Sequence, residues 1–417
     1  MYVRPGRVIA VASVCFLMGV GILAGCGGSH GSSAVPATDT GVLKPQLNGG
    51  NGHLGALSTL YVAGQGAVYA YDLTSLTSPP PSPGAMVSPA PISKSSGYYY
   101  QAGGPNGVNA SIAGIATSSY GNLVVVQNFL NPQGDGNSCE LVYIPARTST
   151  DAPNATARTC NNTVGGNTTG TALAVTYTGP STGASPIPSP SPFPDDVDVL
   201  MHYQPSGNPN VKGCDGTTNE QYEVDRYQAG YSTPGPVTPR GCIRLPSPTP
   251  MPSASPSPGV FARNYIAGST NGAFFVDSTA TGLIERYAGA TQTATGTVFG
   301  PGPMAVSVNS ATNTGYRVVA SNTLGVTTVY SYKVVGATIT FTHAIGTFPN
   351  PVGALAVDNN GKVYVGVNQP GGVTKIKVYG PSKTEATDPD YILLNPVRRP
   401  NPSASPAAII TGIAIAQ

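Results

Sequence analysis

Six times along this 417-residue chain a bulky apolar residue is followed by alanine, then by any residue, and usually by a small polar one. The copies are Ile115–Ser118, Leu173–Thr176, Ile266–Ser269, Met304–Ser307, Leu355–Asp358 and, at the C-terminus, Ile413–Ala416. Each of the first five is followed by a second apolar segment (122–127, 197–203, 272–277, 315–321, 362–367) and then a third (140–145, 221–227, 282–287, 327–332, 374–380). Fourth segments are weaker: 97–101, 338–343 and 390–394. That weakness suits an outermost strand, which packs against less of the protein. A repeat of short strands separated by turns builds one architecture by stacking, because no single copy can bury its own apolar faces. The alanines (116, 174, 267, 305, 356 and 414) mark where the copies converge and only small side chains fit.

The pattern predicts an all-β, six-bladed β-propeller whose first strands line the central axis. The sixth copy has only its first strand, 410–417; the segments "TLYVAG" (59–64) and "AVYAYDL" (67–73) supply its second and third. The ring is therefore expected to close by pairing the C-terminal strand with the N-terminal blade, which removes an exposed sheet edge. Composition agrees. With 53 Gly and 41 Pro, nearly every window that a long helix needs is interrupted. Only 9% of residues are charged, against a usual share of roughly a quarter. The net charge of +2 comes from Arg4 and Arg7, so residues 26–417 are balanced and offer no basic stripe for nucleic acid.

The unit "PVGALAVDNNGKVYVGV…TKIKVYG" (351–380) resembles the NHL-repeat and lactonase-like (SMP-30 or gluconolactonase type) β-propellers. It follows their Pro-x-Gly-Ile-Ala-Val-Asp, Gly-Asn-Leu-Tyr-Val, Ile-x-Val-Tyr order. It departs at Gly366-Val367, where the family has Ala-Asp, and most copies lack the counterpart of Asp358. The resemblance implies the fold. Its enzymes would add a metal-dependent hydrolase activity with a divalent cation such as Ca2+ in the channel, held by Glu, Asn and Asp. The equivalent positions here are Ser118, Thr176, Ser269, Ser307, Asp358 and Ala416, a poor donor set for a hard cation. Asp358 reads more simply as the cap of the Asn359-Asn360-Gly361 turn.

Residues 1–25 read as an export signal, with two arginines, the apolar run 8–24 and the junction "LAGC" (23–26). The junction resembles the lipobox of bacterial lipoproteins and implies lipid attachment at Cys26. Gly27 after the cysteine favours the outer membrane where a cell has two. Residues 26–56 are expected to be a flexible tether and 57–417 the propeller. "GGSHG" (27–31) matches a G-x-S-x-G elbow, but no strand precedes Ser29 and no helix follows it, so it is not a nucleophile. His30 and His53 fall in the tether, while His202 and His343 fall on different blades. Neither a zinc site nor a Ser-His-Asp triad is expected.

Cys15 leaves with the signal and Cys26 is lipidated, so Cys139, Cys160, Cys214 and Cys242 remain. In an exported chain an even set favours disulfides, and position in the blades selects Cys139–Cys160 and Cys214–Cys242. The Pro-Ser tracts 78–83, 185–194 and 245–259 are read as polyproline II loops, and "GYYYQ" (97–101) as an outer strand. The function expected is non-enzymatic binding or scaffolding at the envelope by a monomer without cofactor. Its partner, whether protein, glycan or small molecule, would meet loops such as 128–138, 204–219 and 245–259. The metal-dependent hydrolase is the alternative.

Overall fold

The computed structural model describes residues 58–416 apart from 65, 78–82, 89, 93–97, 104–109, 119–120, 131–136, 148–154, 161–166, 177–194, 205–211, 229–237, 247–262, 270–271, 279–282, 298–301, 307–314, 321–325, 359, 381–388 and 398–407. The signal, the tether with Cys26, and most of the three Pro-Ser tracts lie outside them. The chain opens with β1 (Thr59–Gly64), β2 (Ala67–Asp72), the short helix α1 (Leu73–Thr77), β3 (Ala85–Val87) and β4 (Tyr100–Gln101). Four antiparallel runs follow, each laid out from the inside to the outside. They are β5 (Ala110–Thr117), β6 (Leu123–Leu130), β7 (Asn137–Ile144) and β8 (Thr156–Thr159); then β9 (Asn167–Thr176), β10 (Asp196–Gln204), β11 (Gln221–Gln228) and β12 (Thr238–Arg244). Next come β13 (Ile266–Gly268), β14 (Ala273–Ser278), β15 (Leu283–Ala288) and β16 (Thr291–Thr297), and β17 (Met304–Val306), β18 (Gly315–Ala320), β19 (Thr327–Val335) and β20 (Thr338–Phe348). A fifth run holds β21 (Val352–Val357), β22 (Val363–Asn368), β23 (Thr374–Tyr379) and β24 (Tyr391–Leu394), and the last strand is β25 (Gly412–Ala416). The arrangement is that of a β-propeller, nearly all β.

Strand identity follows from burial. The second strands are covered on both faces, so β1 is buried at every position and β22 at all but its last. Such strands read as unbroken apolar runs. The core is not one mass but six apolar clusters, each between two consecutive four-stranded runs. Each cluster takes one of the repeated alanines: Ala414, Ala116, Ala174, Ala267, Ala305 and Ala356 in ring order. The gap between two runs is a wedge that narrows toward the axis, and alanine is the side chain that fills its narrow end.

First strands meet around the axis: β25 lies against β5, β5 against β9, β9 against β13, β13 against β17, β17 against β21, and β21 against β25. Packing there is tight enough to exclude even a methyl group. A Cβ on Gly268 of β13 would come within 1.8 Å of the Val175 carbonyl oxygen on β9. Two equivalent asparagines also bolt neighbouring runs together. Asn128 at the end of β6 donates to Gly170 O (2.8 Å) and accepts from Gly170 N–H (3.0 Å) on the next first strand. Asn368 at the end of β22 makes the same pair with Ile410, at 3.2 and 2.7 Å.

The first and last described strands share one sheet, in the order β25-β1-β2-β4. β25 pairs antiparallel with β1, setting Ala414 opposite Tyr61. Where six separate sheets are expected from the sequence, the hydrogen bonding gives five. The β13–β16 and β17–β20 runs merge into one eight-stranded sheet because their outer strands touch. The join is a single parallel pair, Thr295 with Thr338, with Thr295 N–H donating to Ala337 O at 3.1 Å. Gly296 permits this approach, since a Cβ there would lie 2.4 Å from Ile339 O.

Deleting 410–417 removes β25 and the buried Ile410 and Ile413, which together represent about 3–6 kcal/mol of apolar burial. It also opens a sheet edge toward the axis. Calorimetry of the truncated chain is expected to show loss of cooperative unfolding or aggregation; an unchanged melting curve would contradict closure through this pair.

Candidate functional site

The ends of the first strands, where the resemblance places a metal, are occupied by turn chemistry. Ser118 N–H donates to Asn122 O (2.9 Å), Ser269 N–H to Ala273 O (2.9 Å) and Asp358 N–H to Lys362 O (3.0 Å). Each turn carries a glycine with positive φ: Gly121 at 78°, Gly272 at 66° and Gly361 at 77°. The Asp358 carboxylate accepts from Asn360 N–H (2.9 Å), Lys362 N–H (2.8 Å) and the Tyr364 hydroxyl (3.4 Å). It is a buried turn cap, with both oxygens engaged by its own blade. Thr176 donates its hydroxyl to Asp198 at 3.1 Å. Ser307 lies outside the described residues, and Ala416 offers no side-chain donor atom. One carboxylate already bound by three donors does not fit a divalent cation. His202 on β10 stacks on Tyr222, with ring centroids 4.4 Å apart, and meets Glu220 at 2.7 Å; His343 on β20 contacts Ser331 at 3.0 Å. They belong to different runs.

A site that the sequence reading passed over lies between the β5–β8 and β9–β12 runs. A cavity of about 200 Å³ is lined by Cys160 on one side and by Lys212–Cys214, β11 and β12 on the other. Its floor carries Glu223 and Asp225, two residues apart on β11 and therefore on one face. Glu223 accepts from Cys214 N–H at 2.6 Å and from the Gln221 amide at 3.0 Å. Asp225 accepts only a long bond from Tyr227, at 3.5 Å, and among the described residues no arginine or lysine pairs with it.

The next run shows what is missing. Pairing aligns Asp225-Arg226-Tyr227 with Glu285-Arg286-Tyr287, each set lying opposite the repeated alanine through the second strand. There Glu285 is neutralised by the buried Arg263 at 2.7 Å and by the Tyr287 hydroxyl at 2.9 Å. Asp225 keeps the tyrosine without the arginine. Burial and then the neighbouring Glu223 push its carboxyl well above the usual range; burial also raises Glu223. Glu223 is buried and Asp225 half-buried, and two such carboxylates side by side without an ion-pair partner favour holding a proton or taking a positive group. The cue in the sequence was the match of "VDRY" to "IERY", with an arginine ahead of only the second blade.

Both disulfides flank this cavity. Cys139–Cys160 joins β7 to the end of β8 (Cα–Cα 5.4 Å), and Cys214–Cys242 joins the loop before β11 to β12 (5.7 Å). These are the pairs that position in the blades selects. Two disulfides suit an oxidising, extracytoplasmic compartment. Among the described residues no helix is long and apolar enough to cross a membrane.

The chain matches no protein-family model, and no curated protein matches its sequence. In structure it is similar to a protein from Lactobacillus plantarum, at 11% identity and a TM-score of 0.36, covering 87% of this chain and 99% of the other. It is also similar to a quinonprotein alcohol dehydrogenase-like protein from Bacteroides thetaiotaomicron (12%, TM-score 0.39, 86% and 78%). A third is the Aleuria aurantia lectin with α-methyl-L-fucoside (13%, TM-score 0.37, 80% and 96%). At these scores the likenesses carry no argument about function.

The raised carboxyls make a pH prediction. A group whose folded pKa lies above its unfolded value of 3.8 contributes stability that is full below that pH. The contribution is lost as pH rises through the folded pKa. Asp225→Asn removes that loss, so the variant should melt near wild type at about pH 4 and increasingly above it toward neutrality. A difference in melting temperature that does not change with pH would refute the raised carboxyl at Asp225.

Proposed function

We propose that the chain is a bacterial envelope lipoprotein with three parts: signal 1–25, tether 26–56 attached by lipid at Cys26, and a six-bladed propeller over 57–417. On this reading the merged eight-stranded sheet counts as two blades touching at their outer edges. The propeller acts as a non-enzymatic binding or scaffolding module, and the NHL-like unit 351–380 is its most regular blade. The observation that carries the binding reading over hydrolysis is the engagement of Asp358, whose carboxylate is already satisfied by its own turn. Binding belongs to the face built by the loops between second and third strands and between blades. The loop before β11, which roofs the acidic cavity with Lys212–Cys214, is part of that face.

Acyl chains contribute about 0.8 kcal/mol per buried methylene, so a multiply acylated Cys26 would hold the protein firmly at a membrane. Metabolic labelling with an alkyne fatty acid is expected to mark the wild-type chain and to leave Cys26→Ala unmarked and unprocessed. Persistent labelling of that variant would remove the lipoprotein reading.

A further inference from the structure

The two disulfides differ in exposure. Cys139 and Cys160 are each only 2% exposed, within the apolar cluster between the β5–β8 and β9–β12 runs. Cys242 is exposed on β12, which among the described strands pairs only with β11 and is the outermost of its run. Cys214, its partner, is partly buried in the loop that roofs the cavity. We propose that Cys214–Cys242 is a thiol–disulfide exchange site whose reduction unlatches loop 212–220 from the acidic cavity, while Cys139–Cys160 stays closed as a structural cross-link.

The loop is held to its blade by few ties. Gly213 N–H to Thr217 O and Gly216 N–H to Gly213 O are turns within the loop itself. The contacts that reach across to the strands are the disulfide, Cys214 N–H to Glu223 at 2.6 Å, Asp215 to Arg244 at 2.8 Å and to the Gln221 side chain, and Glu220 to His202 at 2.7 Å. Only the first is covalent. Access decides which sulfur reacts, because exchange needs the attacking thiolate in line with the bond. The thiolate of an external dithiol attacks the exposed Cys242 sulfur and breaks its bond to Cys214, which leaves as a thiolate and takes a proton from solvent. The second thiol of the reagent, as its thiolate, then attacks its own sulfur in the mixed disulfide and releases Cys242 as a thiol. The dithiol is oxidised to a disulfide, and the cystine gains two electrons and two protons. Cys160 also lines the cavity, but at 2% exposure each, Cys139 and Cys160 present far less surface to a reagent than Cys242 does. The latch does not depend on what the propeller binds.

The test uses the full chain with both disulfides formed. Graded dithiothreitol under native conditions, followed by alkylation and peptide mapping, is expected to label Cys214 and Cys242 first, at a reductant concentration about tenfold or more lower. Hydrogen exchange in 212–220 should then rise while the rest of the molecule stays protected. Simultaneous reduction of both cystines, or reduction of Cys139–Cys160 first, overturns the proposal, as does selective reduction with unchanged exchange in 212–220. The double variant Cys214→Ser, Cys242→Ser separates the latch from reagent effects: it should show the same raised exchange without reductant, and wild-type protection there also overturns the latch.

Discussion

Pairing of β25 with β1 is the contact on which the rest depends. Every apolar cluster lies between two runs, so every run needs a neighbour on both faces. A linear array would leave two faces bare at its ends. Building one sheet from both ends of the chain abolishes those ends and turns closure into a tertiary contact between residues about 350 positions apart, the kind of non-local pairing that folds slowly. A second tie crosses the same seam. β3, from the insertion between β2 and β4, adds itself parallel to β24 as a fifth strand on the preceding run. The seam is thus held on the inside by β25 and on the outside by β3.

The outer strands show how the remaining edges are managed. β24 is covered by β3, and β16 meets β20. β12 is the longest outer strand paired on one side only, and it carries Pro239, exposed Arg240 and Arg244, and a bulge opposite Arg226 and Tyr227. Proline, charge and a bulge all discourage pairing with another chain. Both disulfides tie outer strands, one buried in an apolar cluster at the β7–β8 pair and one on the exposed β12. In the loop-entropy account each contributes about 2–4 kcal/mol.

First, second and third strands were legible in the sequence because burial on both faces imposes apolar runs, and convergence at the axis imposes alanine. β8, β12 and β16 were not named. Their residues ("TART", "TPRGCIR" and "TQTATGT") carry no apolar run that would mark a strand in the sequence. The merging of two runs through Thr295 and Thr338 was equally hidden, because it rests on a missing side chain at Gly296 and on a hairpin's reach. Asp358 was legible as a turn cap from the Asn-Gly that follows it. Asn128 and Asn368 occupy equivalent places, yet their role depends on the backbone of the next run and nothing local announces it.

The acidic cavity was hidden for a different reason: it is defined by an absence relative to a neighbouring copy. Buried arginines are the rule at the junctions of this weakly charged chain. Arg147 reaches back from the end of β7 to Thr59 (3.1 Å) and Asp72 (3.5 Å) in the run that precedes its own. Arg226 grips Asp198 with two bonds and then donates to Gly272 O in the run that follows. Arg263 neutralises Glu285. Arg226 and Arg263 take carboxylates that burial would otherwise leave uncompensated, and ties that cross between runs favour one mutual setting of neighbours over others. At Asp225 the pattern stops, although the Tyr227 that belongs to it is kept. A repeat architecture makes such a departure visible, since the next copy shows the closed version of the same place. What distinguishes the two is whether an arginine or an open cavity faces the carboxylate: at Glu285 the charge is compensated inside the blade, and at Asp225 the compensation is left to a proton.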